Sequence, residues 1–294
     1  EQARIREKQQ ENVSNKPATA NAQSMLERRF KCDWDNYLPV KPPFVGKNVV
    51  RNVSVEQLIP LISWTFFYWA WRVKADSEEG VKLKADADKL LKELCKTEFD
   101  LRCIQGFYPA AGFDDRIKIL RSDSPVFHGD ECACCSSAVE IMTPRQQKSE
   151  GECLALCDYV MPAKRTDIMT FTDFVGAFAC TVSDAFVKLL EKKKAELGGG
   201  DYDVLLLQTV GDRLAEAAAE YMSRELEKES GWKGIRPAVG YPSLPEQKEI
   251  FKVAKLIDLD AVGITLTENG AMYPQASVCG LYISHRDAVY FDAK

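Results

Sequence analysis

Histidine is scarce in this chain, which has only His128 and His285 among 294 residues. A metal centre built from several histidines is therefore excluded, and a histidine base for nucleophilic catalysis has few candidates. His128 lies in PVFHGDE, which is typical of a turn, and His285 lies in YISHRD. We expect both to be solvated loop residues.

The chain also lacks a long apolar run. Its most apolar stretch, LIPLISWTFFYWAW at residues 58–71, is too short to span a bilayer, and the first ten residues are not those of a signal peptide. With 39 basic and 44 acidic residues, the net charge is −5. This balance argues against nucleic-acid or anionic-lipid partners, so we expect a soluble, cytoplasmic chain.

Several sequence fingerprints of catalysis are missing. The chain contains neither the GxGxxG pattern of dinucleotide-binding folds, nor the GxxxxGK[ST] loop, nor the GxSxG nucleophile elbow. These absences argue against enzymes that rely on those motifs.

Ten cysteines are present, and five of them are close together in the sequence: Cys132, Cys134, Cys135, Cys153 and Cys157. Four thiolates can bind zinc or an iron–sulfur cluster. Their spacing matches none of the usual CxxC pairs, and free cysteine is also a common buried residue. A cysteine-ligated metal site therefore stays open as the less favoured interpretation.

The sequence divides into a polar leader and a compact region. Residues 1–47 resemble an interdomain linker followed by an extended strap, and residues 48–294 form the predicted domain. Helices and strands mix without regular alternation, which favours an α+β fold. The predicted helices are 54–62, 82–99, 184–197, 201–229 and 246–256. The predicted strands are 103–110, 116–122, 174–182, 262–266, 278–284 and 288–291.

The most informative motif is GIRPAVGYPSLPEQKE, residues 234–249. Its prolines restrict the backbone, while Gly234 and Gly240 permit close main-chain approach. Arg236 offers a planar guanidinium suited to a carboxylate, and Tyr241 offers an aromatic face. From the residues alone, this is either a binding loop or a stiff connector whose arginine pairs with an internal acid.

Ordered segments of the chain resemble the activation domain of cobalamin-dependent methionine synthase. The loop just described resembles that family's RPAPGYP signature, and the leader resembles the linker that follows the family's cobalamin domain. The other similar segments are WTFFYWAW (64–71), CIQGFYPA (103–110), RQQ (145–147), CDYVMP (157–162), DFVGAFACTV (173–182), GDRLAEAAAEYMSREL (211–226) and LTENGAMYPQASVCGLYISHRDAVYF (266–291).

The resemblance implies a single domain with a mostly antiparallel, mixed sheet flanked by helices. It also implies binding of S-adenosylmethionine, whose methyl group rescues inactive cob(II)alamin on a neighbouring cobalamin-binding domain, with an electron from a flavodoxin-like donor. No aspartate stands two residues before either histidine, so the DxHxxG pattern of a lower cobalt ligand is absent. We therefore expect cobalamin to be held elsewhere. The implied cofactor-binding residues are Arg236 (for the carboxylate), Ala238, Tyr241, Tyr290, Phe291, Glu216 and Ser63.

Three departures from the family pattern concern the ligand site and its surroundings. Ser63 stands where the family has an aspartate, the connection before the 234–249 loop is short, and the chain ends directly after the last similar strand. A hydroxyl cannot replace a carboxylate as a counter-charge. A degenerate relative that docks on a corrinoid protein without binding S-adenosylmethionine is therefore the alternative.

Overall fold

A computed structural model describes residues 24–97, 99–124, 126–127, 138–165, 169–197 and 202–293. The strands are β1 (Asn48–Ser54), β2 (Asp100–Phe113), β3 (Arg116–Ile119), β4 (Val126–Phe127), β5 (Val139–Met142), β6 (Lys164–Arg165), β7 (Met169–Thr170), β8 (Asp173–Val182), β9 (Thr265–Leu266), β10 (Met272–Tyr273) and β11 (Ser277–Ile283). The α-helices are α1 (Val55–Leu58), α2 (Trp64–Trp71), α3 (Glu78–Leu94), α4 (Asp184–Leu197), α5 (Tyr202–Ser230) and α6 (Ile250–Val253).

The main sheet has six strands, and β2 lies at its centre. One edge of β2 pairs with β8, which in turn pairs with β11. The other edge pairs first with β1 and then with β3, beyond which lies β5. The ladders among the described strands are antiparallel, so the architecture is the expected α+β fold built on an antiparallel sheet.

Both faces of β2 are buried, which explains its nearly continuous apolar sequence. Because side chains alternate along a strand, Cys103 and Phe107 point to one core, while Ile104 and Tyr108 point to the other. The first core lies under helices α1 to α5, and the second lies under the 235–264 region and α6. The sheet is thus enclosed between a helical layer and a layer of loops and short helices.

Helix α5 is the long helix of the first layer. Val210, Leu214 and Ala218 are buried against the sheet, as their spacing predicts, whereas Tyr221 is only partly buried. The opposite edge of the same helix carries arginines and glutamates. This division places a charged surface directly above a rigid core.

Other predictions from the sequence are also confirmed. Ser54 and Gln57 form the expected capping box at α1, and the β2–β3 hairpin turns at Asp114 and Asp115. The predicted 246–256 helix is a 3₁₀ turn followed by the short α6. Among the described residues, no helix combines the length and apolar character needed to cross a bilayer.

The predicted strand at 288–291 is wrong, because no strand forms there. The chain leaves the sheet after β11, and its backbone bonds instead to the loop after Tyr241. The Phe291 amide donates to Ser243 Oγ at 3.0 Å, and the Ala293 amide donates to the Pro242 carbonyl at 3.0 Å. In this short apolar run, Ala288 and Phe291 are partly buried against the second core, whereas Val289 and Tyr290 are exposed.

The prediction that His285 is solvated is also wrong, since the residue is only 2% exposed. Strap residues Phe30, Trp34 and Tyr37 surround its ring, and the Tyr37 ring stacks on it at 5.0 Å. Burial lowers the pKa of His285, which keeps the imidazole neutral. The strap therefore packs closely on the end of β11. His128 lies outside the described residues.

Candidate functional site

A cavity of about 640 Å³ opens between α2, α5 and the 234–241 loop. Its volume lies within the range of small-molecule sites. Phe66 and Trp69 of α2 form an aromatic wall, with their ring centroids 5.2 Å apart. The facing wall is the charged edge of α5, so the cavity offers both apolar and ionic contacts.

The 234–239 segment runs beside β11 like an additional strand, and this fixes Arg236. Ile235 exchanges two backbone hydrogen bonds with Ile283, at 3.0 and 2.9 Å. A side chain on Gly234 would meet the Ile283 carbonyl oxygen at 1.9 Å, so this close approach requires glycine. Because side chains alternate, Ile235 enters the second core and Arg236 points to the helical side, toward α5.

Arg236 lies between two carboxylates of α5. Its guanidinium is 3.6 Å from Glu216 Oε2 and 3.4 Å from Glu220 Oε2. Burial acts to lower the pKa of Arg236, but the charge of Glu216 together with those of Tyr290, Glu220 and Tyr282 outweighs burial, and the pKa is raised. The loop arginine is thus paired with internal acids and is also directed into the cavity.

Tyr241 belongs to the same network as Arg236 and Glu216, because its hydroxyl donates a hydrogen bond to Glu216 Oε1. Burial first, and then the charge of Glu216, raise the pKa of the Tyr241 phenol. The phenol therefore stays protonated and remains a donor. Tyr241 is also half exposed at the cavity, where its ring is accessible to a ligand.

The structure brings four of the seven predicted site residues together around this cavity: Ser63, Glu216, Arg236 and Tyr241. Ser63 is the N-cap residue of α2, and its hydroxyl makes no capping hydrogen bond. The other three do not line the cavity.

Those three residues lie around the Arg236 loop. Ala238 is buried in a bridge with Gly280. Tyr290 accepts a hydrogen bond of 3.0 Å from the Arg236 amide, and Phe291 is held by Ser243. Tyr290 thus supports the backbone of the arginine that points into the cavity.

Sequence reasoning missed eight residues of the cavity lining, and five of these are charged or aromatic: Phe66, Trp69, Arg213, Glu220 and Arg224. Three of them have a sequence signal, since Arg213, Glu216, Glu220 and Arg224 recur at spacings of three and four residues. Such spacing puts side chains on one helix edge. The aromatic pair has no comparable signal, because its partner helix is far away in sequence.

The cysteine cluster is only partly within the described residues, since Cys132, Cys134 and Cys135 lie outside them. Cys153 and Cys157 are buried free thiols. Burial raises the pKa of Cys157 to about 12, which disfavours the thiolate that binds metals. Within the described ranges, no group of three His, Cys, Asp or Glu side chains is arranged to hold a metal ion.

Comparisons with a family model and with solved structures both find proteins similar to this chain. The family model described as "Vitamin B12 dependent methionine synthase, activation domain" matches residues 54–294. Among solved structures, the chain is similar to the MetH reactivation domain bound to AdoHcy, with 28% sequence identity and a TM-score of 0.76. That similarity covers 92% of this chain and 88% of the other.

Proposed function

Because the chain belongs to the family of vitamin B12-dependent methionine synthase activation domains, we propose that its cavity between α2 and α5 binds S-adenosylmethionine. In this proposal Arg236 binds the ligand's carboxylate, while Tyr241 and the aromatic wall contact the rest of the molecule. Ala238 contributes through its backbone, Tyr290 and Phe291 shape the loop side, and Glu216 and Ser63 lie near the ligand's cationic end.

The observation that carries the proposal is the placement of Arg236. A guanidinium that is 19% exposed projects into a cavity of suitable size, on a backbone fixed by β11. Its planar donors suit a carboxylate. The similar solved domain is bound to AdoHcy, S-adenosylhomocysteine, which is what S-adenosylmethionine becomes after losing its methyl group.

We infer that the domain presents this methyl group to cobalamin held by a separate cobalamin-binding domain, so the chain alone does not complete the transfer. Cobalamin would supply the cobalt centre that accepts the methyl group after one-electron reduction by a flavodoxin-like donor. The role of this chain is to hold the sulfonium at an open cavity mouth, in the cytoplasm.

The alternative is a degenerate relative that docks on a corrinoid protein without binding S-adenosylmethionine. Two observations favour it. Arg236 already pairs with Glu216 and Glu220, and Ser63 contributes no charge to the cavity. A ligand carboxylate would have to share the guanidinium with these internal acids.

Calorimetric titration with S-adenosylmethionine distinguishes the two functions. We expect measurable binding that Arg236→Ala weakens by about 1.5–3 kcal/mol, the usual contribution of a hydrogen bond to a charged group. Arg286→Ala is the matched control, because that arginine is 86% exposed, does not line the cavity and forms its ion pair with its neighbour Asp287. No heat at millimolar ligand would favour the degenerate relative.

A further inference from the structure

The charges lining the cavity do not balance. Arg213, Arg224 and Arg236 face it together with Glu216 and Glu220, which leaves one formal positive charge. In such a site the charge of the ligand affects its affinity directly, because the lining is only partly exposed to screening solvent.

Glu220 is held by arginines on both sides. Its Oε1 lies 2.8 Å from Arg224 Nε, and its Oε2 lies 3.4 Å from Arg236. Burial acts to raise the pKa of Glu220, but the hydrogen bonds and charges of Arg224 and Arg236 together outweigh burial, and the pKa is lowered. The carboxylate is thus ionised, and its charge is already compensated.

Glu216 is engaged in a similar way, by the Arg236 guanidinium and the Tyr241 hydroxyl. Arg213 lies over the Phe66 ring at 6.0 Å, and its buried Nε has no hydrogen-bond partner among the described residues. The aromatic wall therefore already faces one cation. Neither carboxylate of the lining is left without a positive partner.

S-adenosylmethionine and S-adenosylhomocysteine differ by the methyl group and the positive charge that it places on sulfur. We propose that Arg224 is a specificity-determining residue, an inference that rests on the proposed function. By neutralising Glu220, it makes the cavity bind the uncharged thioether at least as tightly as the sulfonium. The methylated donor and its demethylated product then compete for the site on nearly equal terms.

Titration of both ligands into wild type and Arg224→Gln at low salt tests this inference. Arg224 is 58% exposed, so its replacement leaves the core intact. We expect the wild type to bind S-adenosylhomocysteine with an equal or lower Kd. Arg224→Gln should shift the ratio of the two Kd values toward S-adenosylmethionine by about 2- to 5-fold, since Glu220 then keeps only one cationic partner.

Two controls isolate the charge at this position. Arg224→Lys keeps the charge and should keep the wild-type ratio. Lys192→Gln removes a positive charge from another i,i+4 pair, Lys192–Glu196, which does not line the cavity, and it should also leave the ratio unchanged.

The outcomes separate this inference from the proposed function. If both ligands bind and the wild type prefers the sulfonium, or if Arg224→Gln leaves the ratio unchanged, the role of Arg224 is refuted while the binding function stands. If neither ligand gives heat, the proposed function fails, and this inference fails with it.

Discussion

Replacing Ser63 with aspartate should improve both the folding and the ligand affinity of this domain. Ser63 is the N-cap residue of α2, is exposed, makes no capping hydrogen bond and faces the cavity. An aspartate there can accept a hydrogen bond from the first turn of α2 and can also add a negative charge beside the ligand. One substitution therefore has two separable effects.

The affinity effect follows from Coulomb's law. A carboxylate and a sulfonium about 6 Å apart, at an effective dielectric constant of about 40–80, attract each other by about 0.7–1.4 kcal/mol. This energy corresponds to a Kd lower by about 3- to 10-fold for S-adenosylmethionine. S-adenosylhomocysteine lacks the sulfonium charge and should gain much less. The capping effect adds about 0.5–1 kcal/mol to the free energy of unfolding.

Calorimetric titration and urea unfolding measure the two effects, and Ser63→Asn is the matched control. Asparagine caps a helix as well as aspartate does but carries no charge. We expect both variants to be more stable than wild type and only Ser63→Asp to bind S-adenosylmethionine more tightly. The gain in affinity should shrink with added salt. Equal affinity of the Asp and Asn variants would refute the electrostatic reasoning.

Two further predictions concern buried charges away from the cavity. Arg145 donates to both Asp158 carboxylate oxygens, at 2.5 and 2.8 Å, so Arg145→Ala should lower the free energy of unfolding by about 3–5 kcal/mol in urea melts. Arg116→Ala removes an exposed ion pair and should lower the free energy of unfolding by at most about 1 kcal/mol. Equal losses of stability in Arg116→Ala and Arg145→Ala would contradict the role of burial. Burial raises the pKa of Asp173 from 3.8 to about 6. The contribution of its protonated carboxyl to the free energy of unfolding is therefore complete below about pH 4 and is lost as the pH rises through 6. Between about pH 4 and 7, the free energy of unfolding of wild type should therefore fall by up to about 3 kcal/mol relative to that of Asp173→Asn. A difference between the two proteins that does not change with pH would contradict the raised pKa.

Local patterns in the sequence predict much of the fold. The capping box at Ser54, the β2–β3 hairpin and the buried stripe of α5 each depend on residues close together in the chain. The prediction of a strand at 288–291 is wrong because a short apolar run does not by itself identify a strand, and here the backbone bonds to Pro242 and Ser243 of a distant loop.

In the candidate site as well, the sequence indicates some residues, whereas other contacts depend on how distant segments pack together. The composition of the 234–249 loop points to Arg236 and Tyr241, and the resemblance to the family points to Glu216 and Ser63. The contact of Arg236 with Glu220 depends on how the loop packs on α5, and the aromatic wall depends on how α2 packs there. Likewise, the side chains that bury His285 come from the strap, and the Tyr37–Ser284 hydrogen bond that anchors them joins residues 247 positions apart.

Helix α5 has an apolar face against the sheet and a charged face toward the cavity, and this separation determines how substitutions on the helix act. Val210, Leu214 and Ala218 face the sheet, whereas Glu216 and Arg224 face the cavity on another side of the same helix. Substitutions on separate faces share few partners, so their energetic effects should add nearly independently. We therefore expect that exchanging one or two α5 side chains would change the charge preference proposed for the cavity while leaving the stability of the underlying core unchanged.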